Sequence, residues 1–363
     1  MARVFNFSPG PAVLPEKVLK EAAAAAVELP GAGMSILEIS HRSKAVEAVL
    51  VEAKALLSEL LGIPAGYTIL FLQGGSSLQF TMLPMNFLRG TGKTADYLLT
   101  GTWGSKALAD AKREGTAAVV WDGKSHNYSY LPKPGELKLT PGAAYLHYTS
   151  NETIQGVEFA GDLDAPGANL ICDMSSNFMS RPVDVAKYGL IYACAQKNAG
   201  IAGVTAVIVR DELLERVPAG LPPMLDYKLQ AANDSLYNTP PVFGIYVLLL
   251  IARWLKHDIG GLKKMAELNQ AKAKLLYDLL DARPDFYKGH ARADSRSQMN
   301  VTWRLPSEEL EATFVKGAKD QGLVDLKGHR SVGGIRASIY NAMPRAGVEA
   351  LRDYMVEFQK QHG

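Results

Sequence analysis

The chain has 363 residues, of which 47% are apolar and 21% are charged, values typical of a globular protein with a sizeable core. Its 39 Lys and Arg residues nearly balance 37 Asp and Glu residues, which excludes a broad field that would attract nucleic acid or a membrane. The two cysteines, Cys172 and Cys194, lie in apolar runs, and this placement predicts core residues in a reducing compartment, with neither disulfide framework nor metal site.

Short apolar runs alternate with segments of helical spacing through the first two thirds of the chain. Seven runs are rich enough in β-branched or apolar residues to form strands: 68–72, 97–100, 117–121, 144–148, 170–173, 191–195 and 205–209. Helical spacing occurs between them, as in 77–88 and 105–114. This alternation predicts an α/β sheet that is covered by helices on both faces.

Two proline-rich joints, at 218–223 and 240–241, precede an apolar helix predicted over 242–256. That stretch is shorter than the roughly 20 apolar residues that cross a bilayer. Residues 1–15 contain no apolar core of signal-peptide length. We therefore expect a cytoplasmic protein without a membrane partner.

The last third of the chain predicts a smaller α/β domain. Its predicted elements are a helix at 262–280, a strand at 300–305, a helix at 307–321, a strand at 336–340 and a terminal helix. We place the domain boundary between residues 258 and 259. The predicted domains are 1–258, which includes an N-terminal substrate-contacting segment 1–15, and 259–363.

Lys197 follows a buried strand and precedes the sequence Asn-Ala-Gly-Ile-Ala-Gly. Asp173 ends the preceding apolar strand, and one crossover between them would bring both side chains to the same cleft at the strand ends. A pyridoxal-phosphate site needs such a pair, because a lysine bonds the aldehyde carbon and a carboxylate keeps the ring nitrogen protonated. The alternatives are a lysine that reaches solvent and an aspartate that caps a helix.

Three more features carry candidate chemistry. The turn Gln-Gly-Gly-Ser-Ser at 73–77 presents N–H groups and hydroxyls to an anion, although any tight turn can use glycine and serine. Trp103 either stacks on a ligand ring or packs beneath a loop. The pairs at 41–42 and 329–330, each a histidine followed by an arginine, are either anion-binding groups or ordinary surface residues.

Together these residues belong to longer segments that resemble the signatures of the phosphoserine aminotransferase family. The segments are 7–11 (FSPGP), 40–43 (SHRS), 195–198 (AQKN), 328–331 (GHRS) and 334–342 (GIRASIYNA). The resemblance keeps its order over nearly the whole chain. It implies a fold-type I pyridoxal-phosphate (PLP) enzyme, with a mostly parallel seven-stranded sheet in the large domain, a smaller C-terminal α/β domain, and a homodimer with shared active sites.

The resemblance also implies roles by position. Lys197 would carry the cofactor as a Schiff base, and Asp173 would pair with the ring nitrogen. Cofactor contacts are further implied for Ser76, Ser77, Trp103, Thr153 and Gln196, and, from the other subunit, for Asn238 and Thr239. Substrate contacts are implied for Ser8, His41, Arg42, His329, Arg330 and Arg336. Arg336 would hold the α-carboxylate, and the two His–Arg pairs would receive a distal phosphate or γ-carboxylate.

The implied reaction is reversible transamination between L-glutamate and 3-phosphohydroxypyruvate, which gives O-phospho-L-serine and 2-oxoglutarate in serine biosynthesis. A related phospho-oxo acid of pyridoxine biosynthesis is a second implied substrate. One departure concerns Ser77, because some family members carry an arginine there, and this predicts one cation fewer in the distal anion pocket.

Three alternatives differ in testable features. An alanine–glyoxylate aminotransferase would leave the two His–Arg pairs without a function. A cysteine desulfurase needs a nucleophilic cysteine on a mobile loop. A non-catalytic binding protein of the same fold is expected to lose Lys197 or Asp173, and the chain has both.

Overall fold

In the computed structural model, which describes residues 3–133 and 135–363, strands and helices alternate through the first two thirds of the chain. The elements there are β1 (Phe5–Asn6), α1 (Glu16–Val27), α2 (Lys44–Leu61), β2 (Tyr67–Leu72), α3 (Gly75–Phe87), β3 (Thr94–Leu99), α4 (Thr102–Glu114), β4 (Thr116–Asp122), β5 (Leu146–Thr149), β6 (Asn151–Glu152), β7 (Val157–Glu158), β8 (Leu170–Asp173), β9 (Tyr188–Cys194), β10 (Thr205–Arg210), α5 (Asp211–Leu214) and α6 (Tyr227–Ala232). The last third contains α7 (Val242–Arg253), α8 (Leu262–Ala282), β11 (Lys288–Gly289), β12 (Asn300–Arg304), α9 (Glu308–Asp320), β13 (Leu323–Val324), β14 (Ile335–Ser338) and α10 (Arg345–His362).

A seven-stranded sheet forms the centre of the first two thirds. Its strand order is β2-β10-β9-β8-β5-β3-β4. Only β10 runs antiparallel to its neighbours, and the other strands share one direction. The predicted α/β class and mostly parallel sheet are therefore confirmed, and each predicted strand lies within a few residues of an observed one.

Both faces of the sheet are buried beneath helices. In β2, Ile69 and Phe71 join a core cluster with α1, α2 and α7. Leu70 and Leu72 point the other way, into a cluster with α3 and α4. Successive strand residues face opposite sides of a sheet, so a strand segment that is buried on both sides must be apolar throughout, as the buried part of β2, 69–72, is.

Glycine fixes the transition from β2 to α3. Gly74 caps α3 in the left-handed region, with φ of 83°, which favours glycine over other residues. A β-carbon at Gly74 would also lie 2.6 Å from the Leu78 Cβ. The chain thus turns at once from strand to helix, and the first N–H groups of α3 lie at the carboxyl edge of the sheet.

The C-terminal region has its own three-stranded sheet, β11-β12-β14, and its own apolar cluster. The N-terminal strand β1 pairs with β13 in this region. Helix α8 contributes to both parts, with Leu262 and Met265 in the cluster beneath the large sheet and Leu276 and Leu280 in the C-terminal cluster. The division at residue 259 stays a prediction. Within the described residues, no helix is both long and apolar enough to cross a membrane.

Candidate active site

A cavity of about 290 Å³ opens where the parallel strands of the large sheet end. This edge is the usual ligand site of open α/β sheets, because the loops that follow the strands converge there. Nine of the residues singled out from the sequence line it: Ser76, Ser77, Trp103, Thr153, Asp173, Gln196, Lys197, His329 and Arg336. Residues that are distant in sequence, from both parts of the fold, therefore meet in one place.

Lys197 points into this cavity. The residue lies in the turn after β9, and its side chain is half-buried. Its Nζ donates a hydrogen bond to Thr153 Oγ1 at 2.7 Å and lies 5.6 Å from the centroid of the Trp103 ring. The amine is thus fixed at the cavity wall, and the alternative of a lysine that reaches into solvent does not hold.

Asp173 is the last residue of β8 and is only 3% exposed. Its Oδ1 accepts hydrogen bonds from the Ser175 N–H at 2.9 Å and from the Ser175 hydroxyl at 2.5 Å. Burial raises the pKa of Asp173, while the charge of Lys197 opposes that rise. No helix follows Asp173 directly in the described chain, so the helix-cap alternative is wrong. The carboxylate instead binds the turn at Ser175 and lines the cavity.

Ser175 connects the aspartate to the glycine-rich turn. Its hydroxyl lies 2.6 Å from the Ser76 hydroxyl and also accepts a hydrogen bond from the Cys194 N–H. Since the Ser175 proton goes to Asp173, Ser76 must be the donor to Ser175. The sequence analysis did not single out Ser175, although its position two residues after a strand-end aspartate was a usable signal.

Glu152, another residue that the sequence analysis missed, holds the start of α4. Its carboxylate is fully buried and accepts hydrogen bonds from the N–H groups of Trp103, at 3.1 Å, and Gly104, at 2.9 Å. A β-carbon at Gly101 would lie 2.5 Å from the Glu152 Cδ, so this close contact requires glycine. Burial raises the pKa of Glu152 to about 7, against the effect of the two N–H groups. This carboxylate fixes the backbone that carries the Trp103 ring.

Arg336 supplies a buried cation on the C-terminal side of the cavity. The residue is 6% exposed, its Nη1 donates to the Thr153 carbonyl at 3.4 Å, and its Nε has no hydrogen-bond partner in residues 3–133 and 135–363. Among the described residues it forms no salt bridge with a carboxylate. An unpaired buried charge is costly, so this arrangement suits an anionic ligand.

The other predicted substrate and cofactor residues do not line this cavity within the described chain. Arg330 faces a separate cavity beside α9, and His41 and Arg42 lie between α1 and α2. Asn238 donates to Gln73 Oε1 at 3.0 Å, beside the glycine-rich turn, and its own Oδ1 is buried without a partner. Ser8 is half-buried and precedes Pro9, which lines the cavity. Thr239 is exposed.

A polar network behind the cavity was also missed. Asn151 donates to the Ser176 hydroxyl and to Asn300 Oδ1, both at 2.9 Å. Asn300 in turn donates to Tyr340 Oη at 3.2 Å, and Tyr340 donates to the Pro9 carbonyl at 2.7 Å. The network joins the large sheet to β12 and to the N-terminal segment, which no short-range pattern in the sequence indicates.

The family model of class-V aminotransferases matches residues 4–351. The chain belongs to the class-V aminotransferase family. A relative from Desulfosudis oleivorans, named phosphoserine aminotransferase, is 53% identical over 362 residues, which cover 99% of each chain. This family membership confirms an aminotransferase and excludes the non-catalytic alternative.

Solved class-V structures agree with the fold. Phosphoserine aminotransferase from Bacillus circulans subsp. alkalophilus has a TM-score of 0.97 with this chain and 51% identity, with 99% of each chain covered. Phosphoserine aminotransferase from Trichomonas vaginalis, solved with PLP bound, has a TM-score of 0.92 and 43% identity, with 98% of this chain and 100% of that chain covered. The fold-type I architecture is therefore confirmed.

Both cysteines differ from what a desulfurase requires. Cys172 is fully buried within β8, and Cys194 ends β9 with 5% exposure. Both are free thiols, and burial raises the pKa of Cys172 well above its ordinary value. Because neither lies on a mobile loop and the Cys172 thiol resists ionisation, the fold offers no persulfide-forming nucleophile at these two positions.

Proposed function

We propose that this class-V aminotransferase uses PLP to move an amino group between L-glutamate and 3-phosphohydroxypyruvate, giving O-phospho-L-serine and 2-oxoglutarate. The observation that carries the proposal is the placement of Lys197 and Asp173 in one cavity with Arg336, a buried arginine that has no carboxylate partner in the described part of the chain. Full-length relatives named phosphoserine aminotransferase support the choice of substrates.

The residues of the cavity fit PLP. The Lys197 amine would bond the aldehyde carbon, the Asp173 carboxylate would face the ring nitrogen, and the Trp103 indole would cover the ring. The hydroxyls of Ser76 and Ser77, with the N–H groups that begin α3, form a donor set that suits the phosphate. When bound, PLP supplies an electron-withdrawing ring that stabilises negative charge at the substrate α-carbon.

Four side chains of the cavity would have separate roles in the reaction. Lys197 would act as the general base that removes and returns the α-proton. Thr153 Oγ1 accepts the hydrogen bond from Nζ and fixes the direction of the amine. Arg336 would bind the substrate α-carboxylate through two N–H groups, which orients the α-carbon towards Nζ. His329, at the same end of the cavity, would bind the distal anion.

An amino-donor screen tests the proposed substrates. Single-turnover absorbance changes of the holoenzyme are followed with phosphoserine, glutamate, serine and alanine. A distal anion held by charged hydrogen bonds worth about 1.5–3 kcal/mol each should give phosphoserine and glutamate roughly 100-fold higher kcat/KM than serine and alanine. Equal reaction with alanine would contradict the proposal and favour an alanine-specific aminotransferase.

Chemical mapping tests the cofactor site separately. Borohydride reduction of the holoenzyme followed by peptide mapping should place the cofactor on Lys197. The matched variant is Lys187→Ala, which changes a lysine outside the cavity and should retain the label and the activity. Label on any lysine other than Lys197 would contradict the assignment.

We further infer that two copies of the chain share their active sites. Met34 and Leu37 are 48% and 64% exposed, next to the segment with His41 and Arg42. A second copy would cover this apolar surface and could bring the two cations to its partner's cavity. The two free, buried cysteines also support the reducing cytoplasm as the compartment.

Hybrid dimers test the shared site. A Lys197→Ala subunit and a Thr239→Ala subunit, each carrying a different tag, are co-expressed and the mixed dimer is purified. If Thr239 acts across the interface, the mixed dimer holds one intact site and should recover about half of the wild-type activity per dimer. If Thr239 acts within its own subunit, no intact site forms, and activity no higher than that of the parents would contradict the inference.

A further inference from the structure

Cations from three parts of the fold act on His329, which lines the cavity. Burial together with the charges of Arg336, Arg330 and Lys106 lowers its pKa. In the part of the chain that the structure describes, none of these three cations forms a salt bridge with a carboxylate. Such a concentration of like charge is unfavourable unless an anion binds there.

Lys106 is the member of this group that has no role so far. It lies in α4, three residues after Trp103, so that the two side chains are neighbours on one face of the helix. Its Nζ is 4.5 Å from the centroid of the Trp103 ring, and the side chain is exposed. Trp103 lines the cavity, so Lys106 places its ammonium group at the rim, beside the wall that the indole forms.

A positive charge is unfavourable near the start of a helix, because the N-terminal end of the helix dipole is itself positive. The first turn of α4 contains no acidic side chain that would offset it. The carboxylate of Glu152 already occupies the N–H groups of Trp103 and Gly104. These two backbone donors are therefore taken, and among the described residues the Lys106 ammonium is a charged donor on this wall that has no carboxylate partner, beside the indole N–H of Trp103.

We propose that Lys106 is a substrate-binding residue that recognises the distal phosphate and favours that dianion over the singly charged γ-carboxylate of glutamate. The inference rests on the proposed function. Lys106 would supply the binding cation from α4, on the wall that also carries Trp103.

The test compares three variants of the full-length holoenzyme. Lys106→Gln removes the charge, Lys106→Arg keeps it, and Lys112→Gln removes an exposed charge from the last turn of the same helix. The half-reaction kcat/KM is measured for phosphoserine, glutamate and alanine. Binding of 3-phosphoglycerate, which has no amino or oxo group to react, is measured by calorimetry at low and high NaCl.

Lys106→Gln should lower kcat/KM for phosphoserine about fivefold, the upper range for an exposed ion pair, and affect glutamate less and alanine not at all. The Kd of 3-phosphoglycerate should rise by a similar factor, and high salt should narrow the difference. Lys106→Arg should restore both values, and Lys112→Gln should match the wild type. Unchanged phosphoserine kinetics, or an equal loss with all three donors, would overturn the inference. Failure of the proposed function itself is distinct, because the wild type would then show no preference for phosphoserine over alanine.

Discussion

Replacement of Glu152 by glutamine tests how the site holds Trp103. The wild-type carboxylate is fully buried and accepts two N–H groups at the start of α4. Glutamine has nearly the same shape, but its amide nitrogen must face one of those N–H groups. A buried donor left without an acceptor costs about 1–3 kcal/mol. Glu152→Gln should therefore be less stable than the wild type at pH 5, where the glutamate is protonated.

The size of the effect depends on pH because only the wild type titrates. Burial raises the pKa of Glu152 from its ordinary 4.5 to about 7. The folded state then holds the proton more tightly than the unfolded state, so the stability that this group contributes is present at low pH and falls as pH rises from about 4.5 to 7. The shift corresponds to about 3 kcal/mol. The stability advantage of the wild type over Glu152→Gln should thus shrink by about that amount between pH 5 and pH 8.

The assay is urea unfolding of both holoenzymes at several pH values, with Glu158→Gln as the matched control. Glu158 is also buried and accepts the Gln298 N–H at 2.7 Å and an Asn177 amide at 3.0 Å, away from α4. Burial raises the pKa of Glu158 as well, so the stability difference between the wild type and Glu158→Gln should also shrink as pH rises. Only Glu152→Gln should change the near-ultraviolet circular dichroism of the cofactor and Trp103. If the stability advantage of the wild type over Glu152→Gln grew with pH, the reasoning would be refuted. The attraction between the ionised carboxylate and the N-terminal end of α4 would then be larger than the cost of burying its charge.

Three further variants test the neighbouring groups. Asp173→Asn should lower kcat by about 100- to 1,000-fold at normal cofactor content, because it removes an oriented charge from a dry site; near-normal turnover would contradict this. Ser175→Ala removes the hydroxyl between Asp173 and Ser76, and it should lower kcat about tenfold and move the acidic limb of the pH–rate profile to higher pH. Arg336→Ala should lower kcat/KM for phosphoserine and alanine alike, since both have an α-carboxylate, and a loss confined to phosphoserine would place the distal anion there instead.

The large sheet was predictable because its strands are visible in the sequence as short apolar runs. Leu170–Asp173 and Tyr188–Cys194 are buried over their full length. Apart from the terminal Asp173 they form continuous runs without polar side chains facing solvent, which an amphipathic helix would not show. The short pairs β1–β13 and β6–β7 were not predicted. Strands of two residues have no period to detect, and their pairing depends on where the rest of the chain has already folded.

The residues of the candidate site also differ in how well the local sequence predicts them. Lys197 and Asp173 stand at strand ends, where both local pattern and topology point to a ligand site. Glu152 was missed because a glutamate in a polar stretch of sequence is usually a solvated charge, and only the close packing of Gly101 against it reveals its role. Arg336 came from the resemblance alone, since nothing in its own sequence context tells a buried arginine from an exposed one.

Lys272 is an example of a structural role that the surrounding sequence does not predict. It lies in the amphipathic helix α8, where a lysine is expected on the solvent face. The structure buries it, and its Nζ donates to the carbonyl groups of Tyr340 at 2.7 Å and Ile339 at 3.0 Å, among others in that segment. Burial lowers the pKa of Lys272 to about 7, while the carbonyl dipoles favour the charged ammonium.

The segment that Lys272 holds directly follows the strand that carries Arg336. Tyr340 in this segment also donates to the carbonyl of Pro9, a residue of the cavity wall. The position of Arg336 therefore depends on a lysine in a different helix and on the N-terminal segment. The resemblance marks the segments that contain Pro9 and Tyr340, but it does not indicate these contacts, which form only when the two sheets and the N-terminal segment pack together.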